Sequence, residues 1–236
     1  MFLAPWSRRC GTERSPPRPL PATRSRERSQ AGRKRLRELA YLMGTSALHI
    51  TLHDERIDKS EEFMFPEGIV EFVKDLNRSK STLHKDVVYF RREVPSQDDP
   101  NKVYEVEIAL QYSDAYHENV FTFVNNINTL QGGTHLVGFR TALTRSLNNW
   151  ARQEKALKEK DPVPGGDDFK EGLAAVISVK VPDPQFESQT KMLTPLVSKV
   201  KMIMLLLHHF QMTNHHLLII LFYDMQKKVL YHLQQW

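Results

Sequence analysis

The sequence predicts an α+β fold in which a mainly four-stranded sheet carries helices on one face. Three observations support this: strand-like runs at residues 86–93, 103–112 and 119–125, a long run of apolar residues at helical spacing over 135–160, and a further strand at 173–181. Strands, one long helix and then another strand are typical of a split βαβ layer. Irregular segments are expected at both ends of the chain.

The elements before this sheet are predicted to be shorter. Residues 33–43 have apolar side chains at helical spacing, and Gly44 is expected to end that helix as its C-terminal cap. Two short strands, at 48–53 and 60–65, precede an amphipathic helix at 68–77.

The long helix has a recognisable start. Gly132-Gly133 predicts a flexible turn, and Thr134 is expected to cap the helix that begins at His135. Leu147 and Trp150 are among the apolar residues that form one stripe along it.

Basic residues are concentrated at the two ends of the chain. Residues 1–37 carry 11 Lys or Arg against 2 acidic residues, and residues 193–236 carry 4 against 1. The region 38–192 is acidic, with 18 basic against 25 acidic residues. The net charge of +5 therefore gives no support for nucleic-acid binding by a basic face of the folded region.

The terminal segments also differ in composition from the region between them. Residues 1–32 are rich in Arg, Ser and Pro, which predicts disorder, with an organelle transit peptide as the alternative. Residues 192–236 are rich in His, Met and Leu, but no apolar run reaches the roughly 18 residues of a membrane span. The single cysteine, Cys10, excludes a disulfide framework within the chain and fits a reducing compartment.

Three polar clusters are candidates for binding, and each has a plain structural alternative. Residues 132–135 suit either an anion site or an ordinary helix start. The carboxylates within 167–171 suit an acid–base or metal site, or else Asp167 caps a helical turn and the others are solvated. The histidine pairs 208–209 and 215–216 lack acidic or cysteine partners, so no metal site is predicted.

A series of motifs runs in order along residues 35–191. They are RLRELAYL at 35–42, GIVEFVKDLN at 68–77, VEIALQY at 106–112, NNINT at 125–129, GGTHLVGFR at 132–140, GDDFKEGL at 166–173 and VPDPQFESQTK at 181–191. Several ordered motifs in one chain are more specific than any one of them. In their order and spacing, these motifs resemble the B subunits of DNA gyrase and topoisomerase IV.

The resemblance implies a domain organisation. Residues 48–191 match the family's transducer domain, a split βαβ fold shared with a small-subunit ribosomal protein, and residues 33–47 match the end of its ATP-binding domain. Residues 192–236 depart from the family and are expected to form an atypical tail. The chain is thus expected to be a fragment of a type IIA topoisomerase that couples ATP binding and hydrolysis to DNA strand passage.

The resemblance also implies site residues and cofactors. Lys191 is expected to contact the γ-phosphate of ATP, and Gln189 to belong to the same site, with Mg²⁺ as the second cofactor of the family. The other pocket residues of the family have no counterpart before Arg33, and the chain contains no Walker or G-x-G motif. The chain alone is therefore expected to bind neither cofactor and to be inactive.

By the same resemblance the partners are a gyrase A-type breakage subunit, a second B subunit and DNA. The expected compartment is a bacterial-type cytoplasm, or an organelle if residues 1–32 are a transit peptide. Two alternatives remain open: a non-enzymatic binding module and a non-functional truncated product.

Overall fold

The first helix is longer than the sequence predicts. The computed structural model describes residues 22–95, 99, 102–130, 132–157, 161–182, 184, 186–187 and 192–193, and the chain divides into two units, Met1–Arg35 and Leu36–Trp236. Helix α1 (Ala22–Leu42) begins upstream of the expected residue 33. Residues 22–32 are therefore helical rather than disordered, because Ala, Arg, Glu and Gln, which favour helices, make up most of them.

Short elements follow α1 in the order predicted. Strands β1 (Ile50–Asp54) and β2 (Lys59–Phe63) form a separate antiparallel hairpin, and helix α2 (Ile69–Leu76) comes next. Gly44 does not cap α1 in the left-handed conformation; it begins a short 3-10 turn, Gly44–Ser46. A Cβ atom at Gly44 would lie 2.2 Å from the Phe65 carbonyl oxygen, so this position requires glycine for close approach of the two backbones.

A five-stranded sheet forms the centre of the second unit. Its spatial order is β3-β4-β7-β5-β6, and only β5 and β7 are parallel. A short strand and helix α3 connect those two strands, as in the predicted split βαβ layer. The elements are β3 (Val88–Pro95), β4 (Val103–Tyr112), β5 (Asn119–Val124), β6 (Ile127–Asn128), α3 (Thr134–Gln153) and β7 (Leu173–Lys180).

Helix α3 covers one face of the sheet with large side chains. Phe139, Leu147 and Trp150 of the helix belong to the same buried cluster as Ile108 of β4 and Ile177 of β7. All five are at most 2% exposed. Burial of side chains of this size stabilises a fold by roughly 1.5–3 kcal/mol each, so this face holds the main core.

The opposite face is also covered, which corrects the prediction of helices on one face only. Phe72 and Val73 of α2 and Tyr41 at the end of α1 cluster with Ala174 and Val176 of β7. Residues of β7 are buried on both sides along almost its whole length. The α+β class is confirmed, but a central strand that is apolar on both faces requires cover on both.

Helix α3 ends at Gln153, earlier than the predicted Lys160. Lys155 has a left-handed backbone (φ 57°), and the Leu157 N–H donates to the Ala151 carbonyl oxygen at 3.0 Å, which turns the chain back on the helix end. Leu157 is then buried with the α3 core. Leu157 therefore joins the apolar side chains of α3 through a reversal of the chain after the helix, and not through a continuation of the helix.

Candidate functional site

The residues with the strongest predicted role, Gln189 and Lys191, lie outside the described residues. The strands on either side of them are described: β8 (Phe186–Glu187) pairs antiparallel with β9 (Met192–Leu193). Residues 188–191 thus connect two paired strands in sequence. The described structure upstream of this segment includes the end of β7 and Val181.

Asn125 holds the chain at the point where it leaves β7. Its side-chain amide nitrogen donates to the Val181 carbonyl oxygen at 2.9 Å, and its amide oxygen accepts from the Val181 N–H at 2.8 Å. Its backbone N–H donates to the Val179 carbonyl oxygen at 2.9 Å. One residue therefore forms three hydrogen bonds with the end of β7.

Asn125 lies in a tight turn with unusual backbone angles. Asn125 and Asn126 both have positive φ, 48° and 61°, and they connect the paired residues Val124 and Ile127. Two consecutive left-handed residues are the signature of a type I′ hairpin turn, which asparagine tolerates better than most residues. The Asn126 side chain points to Met43, with 3.2 Å between its amide nitrogen and the Met43 sulfur.

The glycine turn before α3 anchors the helix to the sheet. Gly132 has φ 75°, and a Cβ atom there would lie 2.8 Å from the side chain of Leu136. His135 is fully buried, and its Nε2 lies 3.1 Å from the Thr129 hydroxyl oxygen. That hydroxyl lies 2.7 Å from the hydroxyl of Thr122 in β5. The polar side chains of this motif face the protein interior, which favours the ordinary helix start over an anion site.

The prediction that Thr134 caps α3 is wrong. Thr134 is the first helical residue, Gly133 occupies the N-cap position, and no side chain forms a cap hydrogen bond there. The Thr134 hydroxyl is buried without a hydrogen-bond partner. Instead, the Gly133 carbonyl accepts from the N–H groups of Leu136 and Val137, which closes the first turn.

The carboxylates of the 167–171 segment have structural partners. The Gly165 N–H donates to Asp168 Oδ2 at 2.6 Å. Asp167 pairs with Lys170 at 2.6 Å, and this hydrogen bond and charge lower the pKa of Asp167. Asp167 occupies the N-cap position of a short 3-10 helix, Asp168–Lys170, as the structural alternative predicts, but its side chain forms no cap hydrogen bond there.

A charged group that the sequence analysis missed lies on the α2 side of the sheet. Glu105 Oε1 lies 3.0 Å from both Arg91 Nε and Lys180 Nζ. Two residues along the same strand, Glu107 is 4% exposed and accepts a hydrogen bond from the Tyr89 hydroxyl at 3.0 Å. Burial raises the pKa of Glu107, even though Tyr89, Arg91 and Lys180 favour its charged form.

Other predicted features carry no site in the described structure. The His208–His209 and His215–His216 pairs lie outside the described residues. Within the described residues, no group of three or more metal-ligating side chains comes together, and no helix there is both long and apolar enough to cross a membrane.

Comparison with known proteins gives a consistent family assignment. A family model described as DNA gyrase B matches residues 68–210. The gyrase B subunit of Clostridium acetobutylicum is 50% identical over 158 residues, which are 67% of this chain and 24% of that protein. That of Mycobacterium tuberculosis strain H37Rv is 52% identical over 133 residues, 56% of this chain and 19% of that protein. The chain spans about a quarter or less of these relatives.

Solved structures agree with this assignment at the level of the fold. The 43K ATPase domain of Thermus thermophilus gyrase B, solved with an aminocoumarin, matches with a TM-score of 0.71 and 31% identity over 84% of this chain and 52% of that one. The B subunit of gyrase from Myxococcus xanthus matches with a TM-score of 0.62 at 22% identity, over 78% and 55%. The second match, at its lower identity, concerns the fold alone.

Proposed function

The chain belongs to the DNA gyrase B family, and we propose that its residues 48–191 act as the family's transducer domain. In this proposal the domain couples ATP binding and hydrolysis to DNA strand passage in a type IIA topoisomerase. The observation that carries it is the path of the chain after β7: a sheet strand ends at Lys180, and a short antiparallel pair then encloses residues 188–191. A rigid sheet connected to a segment with a nucleotide-contacting lysine could move in response to whether a nucleotide is bound.

Lys191 is proposed to neutralise charge on the γ-phosphate of ATP, and Gln189 to assist at the same site. A lysine is a compact positive charge on a flexible stem, and stabilisation of phosphoryl transfer is mainly electrostatic. Mg²⁺ would be supplied with the nucleotide. The rest of the pocket would come from an ATP-binding domain, whose end is proposed to be residues 33–47.

The assembled enzyme is proposed to contain a second B subunit, a gyrase A-type breakage subunit and DNA. Its compartment would be the cytoplasm, where DNA and ATP meet in bacteria.

A chimera tests the proposal. The matching segment of the C. acetobutylicum gyrase B subunit is replaced by this chain's residues 33–193, and ATP turnover and DNA supercoiling are measured with gyrase A. The chimera is expected to be active, and Lys191→Ala to lower kcat by about 10²–10³-fold, as loss of a transition-state donor does. Lys85→Ala, at an exposed position, is the control and should leave kcat unchanged.

Full turnover by the Lys191→Ala chimera would exclude the proposed role of Lys191. A folded chimera that hydrolyses ATP but no longer couples it to supercoiling would exclude the coupling role of this segment.

A further inference from the structure

Stacked aromatic rings fix the end of helix α1 to helix α2. The ring of Tyr41 stacks on that of Phe65 with centroids 3.8 Å apart and an interplanar angle of 22°, and on that of Phe72 at 4.7 Å and 10°. Tyr41 is 3% exposed and Phe72 6%. Aromatic pairs attract each other beyond the effect of burial alone. We call Tyr41, Phe65 and Phe72 the ring clamp.

Contacts at both ends of α2 reinforce the ring clamp. At the start of α2, a Cβ atom on Gly44 would lie 2.5 Å from the Cα atom of Gly68, so the two backbones pack directly against each other. At the other end, Asp75 Oδ2 accepts from the Tyr41 hydroxyl at 3.3 Å and lies 3.8 Å from Arg37 Nη1 of α1. The end of α1 is therefore held along the whole length of α2.

The rings continue from α2 to the sheet. The Phe72 centroid lies 5.3 Å from that of Phe121 and 6.3 Å from that of Phe123, both in β5. Strand β5 pairs with β7, the central strand of the sheet. Two ring contacts, from Tyr41 to Phe72 and from Phe72 to Phe121, therefore connect the end of α1 to the interior of the sheet. All of these residues lie within the unit Leu36–Trp236.

The covalent route between the two helices is less direct. Between Leu42 and Ile69 the chain forms a 3-10 turn and the β1–β2 hairpin, which is a separate sheet. Movement is transmitted through proteins by packed side chains and rigid elements. A displacement at the end of α1 is thus expected to reach the sheet through the ring clamp, and not through the hairpin.

From this geometry we propose that the ring clamp joins the ATP-binding domain to the sheet, with Tyr41 as its positioning residue. Residues 33–47, proposed as the end of the ATP-binding domain, contain Tyr41, whereas Phe72 and Phe121 belong to the proposed transducer domain. A movement of the first domain on nucleotide binding would then turn the sheet with it. This inference rests on the proposed function for the roles of the two domains, but the ring clamp itself is a property of this chain alone.

Four variants separate the clamp from general stability. Tyr41→Leu removes the ring and keeps an apolar side chain, whereas Tyr41→Phe keeps the ring and loses only the hydroxyl. Tyr89→Leu makes the same change as Tyr41→Leu at a tyrosine of β3 that is 39% exposed and outside the clamp. Leu147→Ala creates a cavity in the core on the α3 face, so it destabilises the domain without removing a clamp ring.

The first measurement is hydrogen exchange on the complete chain. The Met43 N–H donates to the Leu39 carbonyl oxygen at 2.9 Å and closes the last turn of α1. Tyr41→Leu is expected to speed exchange of this N–H by about tenfold relative to that of Ile108 in β4, because the turn loses its packing. Tyr89→Leu should leave the ratio unchanged. Equal protection of Met43 in the wild type and Tyr41→Leu would overturn the inference.

The second measurement uses the gyrase B chimera and compares ATP turnover with DNA supercoiling. Tyr41→Leu should lower the number of supercoils introduced per ATP hydrolysed by about tenfold, a change of the size typical for coupling between sites. Tyr41→Phe should restore the wild-type ratio, since the stack is kept. Tyr89→Leu and Leu147→Ala should leave the ratio unchanged.

The outcomes distinguish this inference from the proposed function. If the unsubstituted chimera hydrolyses ATP without supercoiling DNA, the proposed function fails, and the ring clamp is judged by hydrogen exchange alone. If the unsubstituted chimera supercoils DNA and Tyr41→Leu does so with the same ratio, the role of the clamp is wrong. An equal fall of the ratio in Leu147→Ala would also overturn it, because loss of stability would then explain the effect.

Discussion

The two faces of the sheet are built differently. The α3 face is packed with large residues, among them Phe139, Leu147 and Trp150, all at most 2% exposed. The α2 face presents small residues on β4 and β7, Ala109 and Ala174, and becomes polar toward Glu107. The first face resembles the interior of an independent domain. The second is a surface on which neighbouring segments of the chain, α2 and the end of α1, pack.

The contacts on the α2 face support this distinction. Aromatic rings connect the end of α1 to the sheet: Tyr41 stacks on Phe65 with centroids 3.8 Å apart and on Phe72 at 4.7 Å, and Phe72 lies 5.3 Å from Phe121. The difference indicates that one face holds the core that stabilises the domain, whereas the other face attaches helix α1 to the sheet. Substitutions on the α3 face should unfold the domain, and those on the α2 face should mainly loosen α1.

The largest effect is expected from Trp150→Ala. Removing this ring leaves a cavity at the centre of the α3 core, so the free energy of unfolding should fall by about 3–5 kcal/mol in urea denaturation. Val137→Ala, on the same helix at 62% exposure, is the control and should change it by about 0.5 kcal/mol or less. Similar losses in both variants would contradict the assignment of the main core to this face.

Gly44→Ala tests the attachment of α1 to the α2 face. The added Cβ would lie 2.2 Å from the Phe65 carbonyl oxygen and 2.5 Å from the Gly68 Cα, so a loss of about 1–3 kcal/mol is expected. Gly32→Ala introduces the same methyl group into α1 where nothing lies within 4 Å. It should stabilise the helix by about 0.5–1 kcal/mol, and the opposite signs are measured by urea denaturation. Two changes of the same sign would argue against close packing at Gly44.

Tyr41→Phe should have a smaller effect. It keeps the ring stack and removes the hydroxyl that donates to Asp75 Oδ2 at 3.3 Å, at a cost of about 0.5–1.5 kcal/mol. Burial and Asp75 raise the pKa of Tyr41 to about 12. The folded pKa lies above the unfolded value of 10.0, so this contribution is complete below pH 10 and declines as the pH rises through 12. Unfolding curves from pH 7 to pH 10 should show a constant difference; a difference that changes over that range would refute the assignment.

The smallest effect is expected at the polar end of the α2 face. Burial raises the pKa of Glu107 above 4.5, so its stabilising contribution is complete below that value and lost as the pH rises through the folded pKa. Glu107→Gln keeps an oxygen that accepts from Tyr89 and carries no charge. At pH 8 the substitution should raise the free energy of unfolding by less than about 1 kcal/mol, and the melting temperature slightly with it. At pH 5 the gain should be smaller. A loss of stability at pH 8 would show that Arg91 and Lys180 outweigh the burial of Glu107.

Much of the fold followed from local patterns. Strand β4 occupies the predicted residues 103–112, because its alternating residues and the turn before it are strong signals. The second covered face was missed, although the run LAAVISV in β7 is typical of a strand buried on both sides. Glu105 and Glu107 lie on that same face, and their contacts with Arg91, Lys180 and Tyr89 are made by tertiary structure rather than by any local pattern.

The candidate site was less predictable than the fold. Lys191 and Gln189 followed from family resemblance and stay predictions. Asn125 was expected as the last residue of a strand, whereas it belongs to the left-handed turn after β5. Its bonds to Val181 join residues 56 positions apart in sequence, and no local pattern carries information about such a contact.

The position of β7 has a consequence for how the protein is made. This strand is the last long one in the described chain, yet it lies between β4 and β5. Until β7 has been synthesised, one edge of β4 and one edge of β5 lack the strand that pairs with them in the folded sheet. Non-local pairing of this kind folds slowly and exposes edges that favour aggregation. The nascent chain would therefore gain most from a chaperone just before its central strand emerges.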